Sequence, residues 1–324
     1  MAMYPLKFKP RYVQKMWGGR KLATILHKSL PPGSIGESWE IYDFPPGVVD
    51  GSTDWISSEV ANGPLAGKTL HELITNSGRE LLGDVAPLPP HGQFPLLIKF
   101  LDAREDLSVQ VHPDEAYAKA NPGAHLKNEA WFIVQADAGS RILKGLKPGI
   151  TRQRFAQAVE KNSMESAIES ITVKPGDCFY LPSGTVHALG AGILAAEVQT
   201  PSDTTYRVHD FNRIDPSTGK LRTLHVQKAM ECIDFSQGPP EKSPGPELAK
   251  CEQFSIRKVE AQKGEILPIP GGEPIILMII SGSGEIGSTS FAAGDTILLP
   301  ALLGKIDAKI TADSLWLHVN FAKR

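Results

Sequence analysis

The sequence predicts a mainly β protein, a sandwich or barrel of short strands with a few helices inserted in its N-terminal part. Gly and Pro are frequent, 30 and 26 in 324 residues, and turn signals separate the apolar runs. Those runs are short and rich in β-branched residues, as at 94–101, 130–134 and 274–280. One strand signal also recurs. Pro175-Gly176-Asp177-Cys178-Phe179-Tyr180-Leu181-Pro182 is echoed by Ala293-Gly294-Asp295-Thr296-Ile297-Leu298-Leu299-Pro300. In each copy a Gly-Asp turn feeds an apolar strand that stops at Leu-Pro, the pattern of a duplicated β unit.

Along the chain, Thr69 is positioned to cap a helix over Leu70-His71-Glu72-Leu73-Ile74, with Glu72 as its capping-box partner. The apolar stretch 107–112 reads as a strand in which Gln110 and His112, two residues apart, leave the same face. Glu129 stands at the start of the strand 130–134, where an unpaired carboxylate would be costly. Lys127 shares its face if the strand begins that early. Thr151 begins a second helix, with Phe155 and Val159 one turn apart. His187 follows the first repeat copy, and Glu197 is an acid inside the apolar stretch Ala195-Ala196-Glu197-Val198-Gln199. The stretch between Ser236 and Glu247 is rich in prolines, which deny donors to sheet or helix. The expected division is therefore a metal-binding catalytic unit over 1–235, a linker over 236–248 and a second unit over 249–324. Aligning the repeats without a gap sets His187 opposite Lys305, so the second unit is expected to lack metal ligands.

Composition narrows the partners. The chain carries 34 basic and 36 acidic residues, a formal charge of −2, which favours neither nucleic acid nor a membrane surface. No segment approaches the roughly 20 apolar residues of a membrane span, and the first residues contain no signal-like apolar run. Cys178, Cys232 and Cys251 are odd in number and without metal-binding spacing, so reduced thiols in a cytoplasmic protein are expected. Gln110, His112, Glu129 and His187 together offer two imidazoles, a carboxylate and an amide oxygen, a set that suits one divalent metal. Zinc fits best, and iron, nickel or manganese fit by residue type as well.

Gly176, Pro182, Gly184 and His187 fit the second cupin motif, G-x5-P-x-G-x2-H, with Ala191 in place of its usual final Asn. The first cupin motif departs further: Gln110 replaces its first His, and Glu129 comes 17 residues after His112. The combination of Gln-Val-His-Pro-Asp, Lys-x-Glu-Ala-Trp and Gly-Thr-Val-His-Ala resembles type I mannose-6-phosphate isomerase in its shorter bacterial form. The resemblance extends to Trp17-Gly18-Gly19, Gly36-Glu37-Ser38-Trp39-Glu40, Pro95-Leu96-Leu97-Ile98-Lys99 and Tyr206-Arg207-Val208-His209-Asp210. It implies two cupin-type jelly-roll domains and one Zn2+ per chain on Gln110, His112, Glu129 and His187. It also implies active-site roles for Lys127, Glu197, Asp203 and Arg207, a sugar-phosphate substrate, and a monomer or homodimer. Arg213 is either a second anion contact or the partner of Asp215; His125 and His209 receive no role. Two rivals remain at this stage, another metal-dependent cupin enzyme such as an oxygenase, and a sugar-binding cupin without turnover.

Overall fold

A computed structural model describes residues 3–49, 51–85, 88–215, 218–236 and 245–321. Three sheets dominate it. The first has six strands in the order Cys178–Leu181, Glu129–Ala136, Ile193–Gln199, Leu97–Ala103, Arg11–Gly19 and Ile35–Ile41. The second has five, Ile168–Thr172, Arg141–Leu146, His187–Leu189, Val109–Val111 and Tyr206–His209. The third is built mainly from the C-terminal residues, with Ile275–Ile286 and Ile306–Phe321 at its centre. This is the mainly β, cupin-type arrangement expected from the sequence.

Side-chain alternation assigns each strand two jobs. In Leu97–Ala103, Ile98 and Phe100 pack outward into one apolar cluster with Ile276, Met278, Leu317 and Val319 of the third sheet. Leu101 and Ala103 point the other way, into a cluster with Trp131, Ile133, Phe179, Leu189 and Ala195. Lys99 has the parity of that second, inner face. The same rule turns Glu129 and Glu197 inward, while Ala130, Phe132, Ala196 and Val198 face the third sheet. Phe94 and Phe321 meet edge-to-face across this junction with ring centroids 5.5 Å apart. Each such buried aromatic stabilises the fold by roughly 1.5–3 kcal/mol.

The expected helix signals hold. Thr69 accepts from the backbone N–H of Glu72, whose carboxylate accepts in return from the Thr69 N–H, and the helix runs Leu70–Leu82. Thr151 caps Arg152–Glu160, which buries Phe155 and Ala158. Among the described residues, three helices that the sequence reading passed over are Lys21–Thr24, Glu115–Ala120, capped by Asp114, and Val226–Cys232. The two repeat copies form matching strands, Cys178–Leu181 and Thr296–Leu299, each entered through a glycine of positive φ, 91° at Gly176 and 88° at Gly294. The second copy also takes a strand from the far end of the chain, since Leu6 and Lys7 pair with Leu298 and Ile297. Residues 237–244, the middle of the proposed linker, lie outside the described residues, and Glu247–Lys250 at its end is a strand. The three cysteines are free.

Candidate metal centre and active site

The inner faces of the six- and five-stranded sheets meet over a polar centre, to which each contributes. Val109–Val111 and His187–Leu189 are antiparallel neighbours with Gln110 opposite His187. His112 follows directly, and its carbonyl accepts from Gly184 N–H at 2.9 Å, which ties it to the turn leading into His187. That turn needs glycine: φ is 83° at Gly184, and a Cβ there would meet Asp234 Cβ at 3.1 Å. Glu129 approaches from the opposite sheet.

His112, Glu129 and His187 are buried, and one ligand atom from each lies within 4.8 Å of the others. His187 Nε2 is 3.0 Å from Glu129 Oε1, and His112 Nε2 is 3.5 Å from Glu129 Oε2. The outer nitrogens are used elsewhere: His112 Nδ1 donates to Thr204 O at 3.0 Å and His187 Nδ1 to Thr185 O at 2.8 Å. Those bonds leave each Nε2 with a lone pair directed at the centre, the arrangement seen around metal-bound imidazoles. Burial, followed by the nearby Lys127 ammonium, pushes His112 down to about 3, so the ring is neutral. Burial alone would raise Glu129, but Lys127 and then His112 outweigh it and hold the carboxyl well below its ordinary value. His112 Nε2 and both Glu129 oxygens are buried without a hydrogen-bond partner. A divalent cation would satisfy all three, so the residues fit a metal. Gln110 Nε2 lies 3.3 Å from His187 Nε2, which places its amide at the rim of the same centre.

A cavity of about 240 Å³ opens beside this centre. Lys127 reaches Glu129 with Nζ 3.0 Å from Oε2, although the strand begins only at Glu129 itself. Glu197 faces the same space. Burial raises its carboxyl to about 7; Lys99 opposes that rise and Glu129 adds to it. Lys99 Nζ sits 3.8 Å from Glu197 and 3.5 Å from Glu37, over the Trp39 ring. Arg207, opposite Gln110 in the sheet, lines the cavity with its Nε buried and unpartnered. Asp203 is exposed at the mouth, where a wider outer recess lined by Tyr117, His125 and Lys228 begins.

The structure brings the eight expected residues to one cavity and its rim: His112, Glu129 and His187 in the buried cluster with Gln110 beside it, Lys127, Glu197 and Arg207 along the cavity, and Asp203 at its mouth. Arg213 takes a structural part, bonded to Asp210 and donating to Asp106 O. Sequence reasoning missed Lys15, Glu37, Lys99 and Arg222, which also line the cavity. Lys99 had a signal, a lone lysine inside the apolar run 94–101. Arg222, in an exposed and polar stretch, had none. Lys305, the counterpart of His187, is exposed, and Leu277, Ile279, Ile297 and Trp316 form one apolar cluster in the C-terminal sheet. Among the described residues no other His, Cys, Asp and Glu group could hold a metal.

Residues 5–139 match the family described as phosphomannose isomerase type I, catalytic domain. The chain is 35% identical over 98% of its length to mannose-6-phosphate isomerase ManA of Bacillus subtilis (strain 168), covering 100% of that protein. It is 34% identical to a mannose-6-phosphate isomerase of Streptococcus mutans, with 91% of this chain and 92% of that protein covered. The crystal structure of the mannose 6-phosphate isomerase from Bacillus subtilis superposes with a TM-score of 0.84 at 32% identity, covering 98% of this chain and 100% of that one. The inward cluster of His112, Glu129 and His187, the mainly β sheets and these near full-length similarities agree, and the chain belongs to the type I phosphomannose isomerase family.

Proposed function

We propose that the chain interconverts mannose 6-phosphate and fructose 6-phosphate, with one zinc ion held by Gln110, His112, Glu129 and His187. The observation that carries this reading is the buried triad of His112, Glu129 and His187, in which His112 Nε2 and both Glu129 oxygens have no hydrogen-bond partner, set against a cation-lined cavity. Two neutral imidazoles, one carboxylate and one amide oxygen suit zinc, and they leave coordination open for substrate. The Gln110 amide serves as a ligand once a half-turn about its last bond brings the oxygen to where the nitrogen now lies. Bound there, the ion supplies Lewis acidity toward the sugar oxygens.

The chain's own residues supply the rest. Aldose–ketose conversion moves a proton between C1 and C2 through an enediol or enediolate. Glu197, raised to about 7, is matched to taking and returning a proton near neutral pH. Lys127 is the second proton carrier in reach, and its ammonium neutralises Glu129 in the resting site. Arg207 brings a planar guanidinium with no carboxylate partner among the described residues, suited to phosphate or enediolate oxygens. Asp203, whose charge acts on both Arg207 and Lys99, orders the mouth of the cavity. In this reading residues 1–235 are the catalytic unit and residues 249–324 form a second unit without a site of its own.

The test is NMR of mannose 6-phosphate with the zinc-loaded protein in deuterium oxide. Fructose 6-phosphate carrying solvent deuterium at C1 is expected. No product, or conversion of free mannose at an equal rate, would sink the sugar-phosphate reading.

A further inference from the structure

Five cationic side chains line the cavity, but they are not equally free. Lys15 lies 3.2 Å from Glu37, Lys99 lies between Glu37 and Glu197, and Lys127 reaches Glu129 at 3.0 Å. Each of these three lysines already faces a carboxyl group. The two arginines differ. Arg207 has no carboxylate partner among the described residues, and its Nε is buried without an acceptor. Arg222 meets Asp210 through one nitrogen only, Nη1, at 3.1 Å and 3.3 Å from the two carboxylate oxygens. Asp210 is itself shared with Arg213, so its single charge faces two guanidiniums and leaves this corner positive.

Arg207 lies on Tyr206–His209, while Arg222 directly follows the short strand Lys220–Leu221 and bonds back to the Arg213 carbonyl at 3.3 Å. The two guanidiniums thus reach one cavity from different segments; burial and then the Arg222 charge disfavour the charge on Arg207, against Asp210 and Asp203, which favour it. Holding two like charges together is costly unless an anion joins them. Asp210 is buried at 4% exposure and holds Arg222 by Nη1.

We propose that Arg222 is the second arm of a phosphate clamp whose first arm is Arg207, with Asp210 as the positioning residue that holds it. The proposal rests on the sugar-phosphate reading above and adds to it the group that discriminates phosphorylated from free sugar. A phosphate carries −1.5 to −2 charge near neutral pH, and two planar forks offer it paired donors that lysine cannot reproduce.

The experiment measures inorganic phosphate binding by calorimetry to the zinc-loaded full chain, alongside steady-state kinetics with mannose 6-phosphate. Arg222→Gln is expected to weaken phosphate at least tenfold and to raise KM by a similar factor, with kcat changed less than threefold and zinc content intact. Phosphate affinity reduced by less than tenfold in the folded variant overturns the proposal, as does a fall in kcat at constant KM. Should glutamine unfold the hairpin, Arg222→Lys retains the charge and is expected to bind phosphate at least threefold more weakly; a smaller loss overturns it. Phosphate binding does not depend on turnover. A wild-type protein that binds phosphate through Arg222 without isomerising the sugar refutes the proposed function and leaves the clamp standing.

Discussion

Glu129→Gln removes the one negative charge on which the polar centre converges, and its cost can be worked from the structure. The carboxylate is fully buried and lies 3.0 Å from the Lys127 ammonium, which is itself 6% exposed. At an effective dielectric of about 20, a charge pair at that distance is worth about 5 kcal/mol. Part of this offsets the desolvation of both ions, so the net loss on removing one partner is about 3–5 kcal/mol, because a buried lysine is left unpaired. The assay is urea unfolding of the metal-free protein at pH 7, wild type against variant. A drop of about 3–5 kcal/mol is expected, and Lys127→Met placed on top of Glu129→Gln should recover most of it. A loss below about 1 kcal/mol, or no recovery in the double variant, would refute the claim that this pair holds the empty centre together. The same variant should bind less than one zinc per chain, since the site loses its only anionic ligand.

The remaining predictions are these. His187→Ala should abolish stoichiometric metal binding while Lys305→Ala leaves it intact; equal metal contents would contradict the single-site account. In the metal-free protein, His112 has a folded value of about 3 against 6.5 for the ordinary ring, so its contribution to stability is present above pH 6.5 and is lost as pH falls toward 3. Glu129, also lowered, acts in the same direction below its ordinary value. Glu197, raised to about 7, works in the opposite direction over the same interval, so the His112 part is read against a His112→Gln variant. The difference in denaturation midpoint, wild type minus variant, should fall between pH 7 and pH 5, and a difference that stays level or grows would count against a neutral buried imidazole. Thr69→Ala should cost about 1 kcal/mol by removing half of the capping box; a change in thermal midpoint indistinguishable from zero would show that the cap is not stabilising the helix.

Much of the site was legible because parity is a strong rule. Gln110 and His112 share a face in any strand, Glu129 opens an apolar run and Glu197 interrupts one. Glu37 escaped notice for the opposite reason. In Ile35-Gly36-Glu37-Ser38-Trp39-Glu40-Ile41 the polar residues resemble a solvent-facing alternation, yet the whole strand is buried. Glu40 turns out to pair with Lys28 at 2.8 Å, and Lys28 also donates to Gly294 O, in the turn before Thr296–Leu299. A contact between residues so far apart in the chain has no local signature. The pairing of Leu6 and Lys7 with Leu298 and Ile297 was hidden for the same reason. Arg222 illustrates a further limit: its stretch is exposed and polar, and only its approach to Arg207 and Asp210 gives it a role.

The central claim is that one metal ion held by Gln110, His112, Glu129 and His187 makes this cavity an aldose–ketose isomerase. Fructose 6-phosphate formation from mannose 6-phosphate, followed in a coupled assay against measured zinc content as metal is removed and returned, tests it most directly. Turnover should rise in proportion to zinc, saturate at one ion per chain and vanish in the metal-free protein. Full turnover without metal, or no turnover at one zinc per chain, would contradict it.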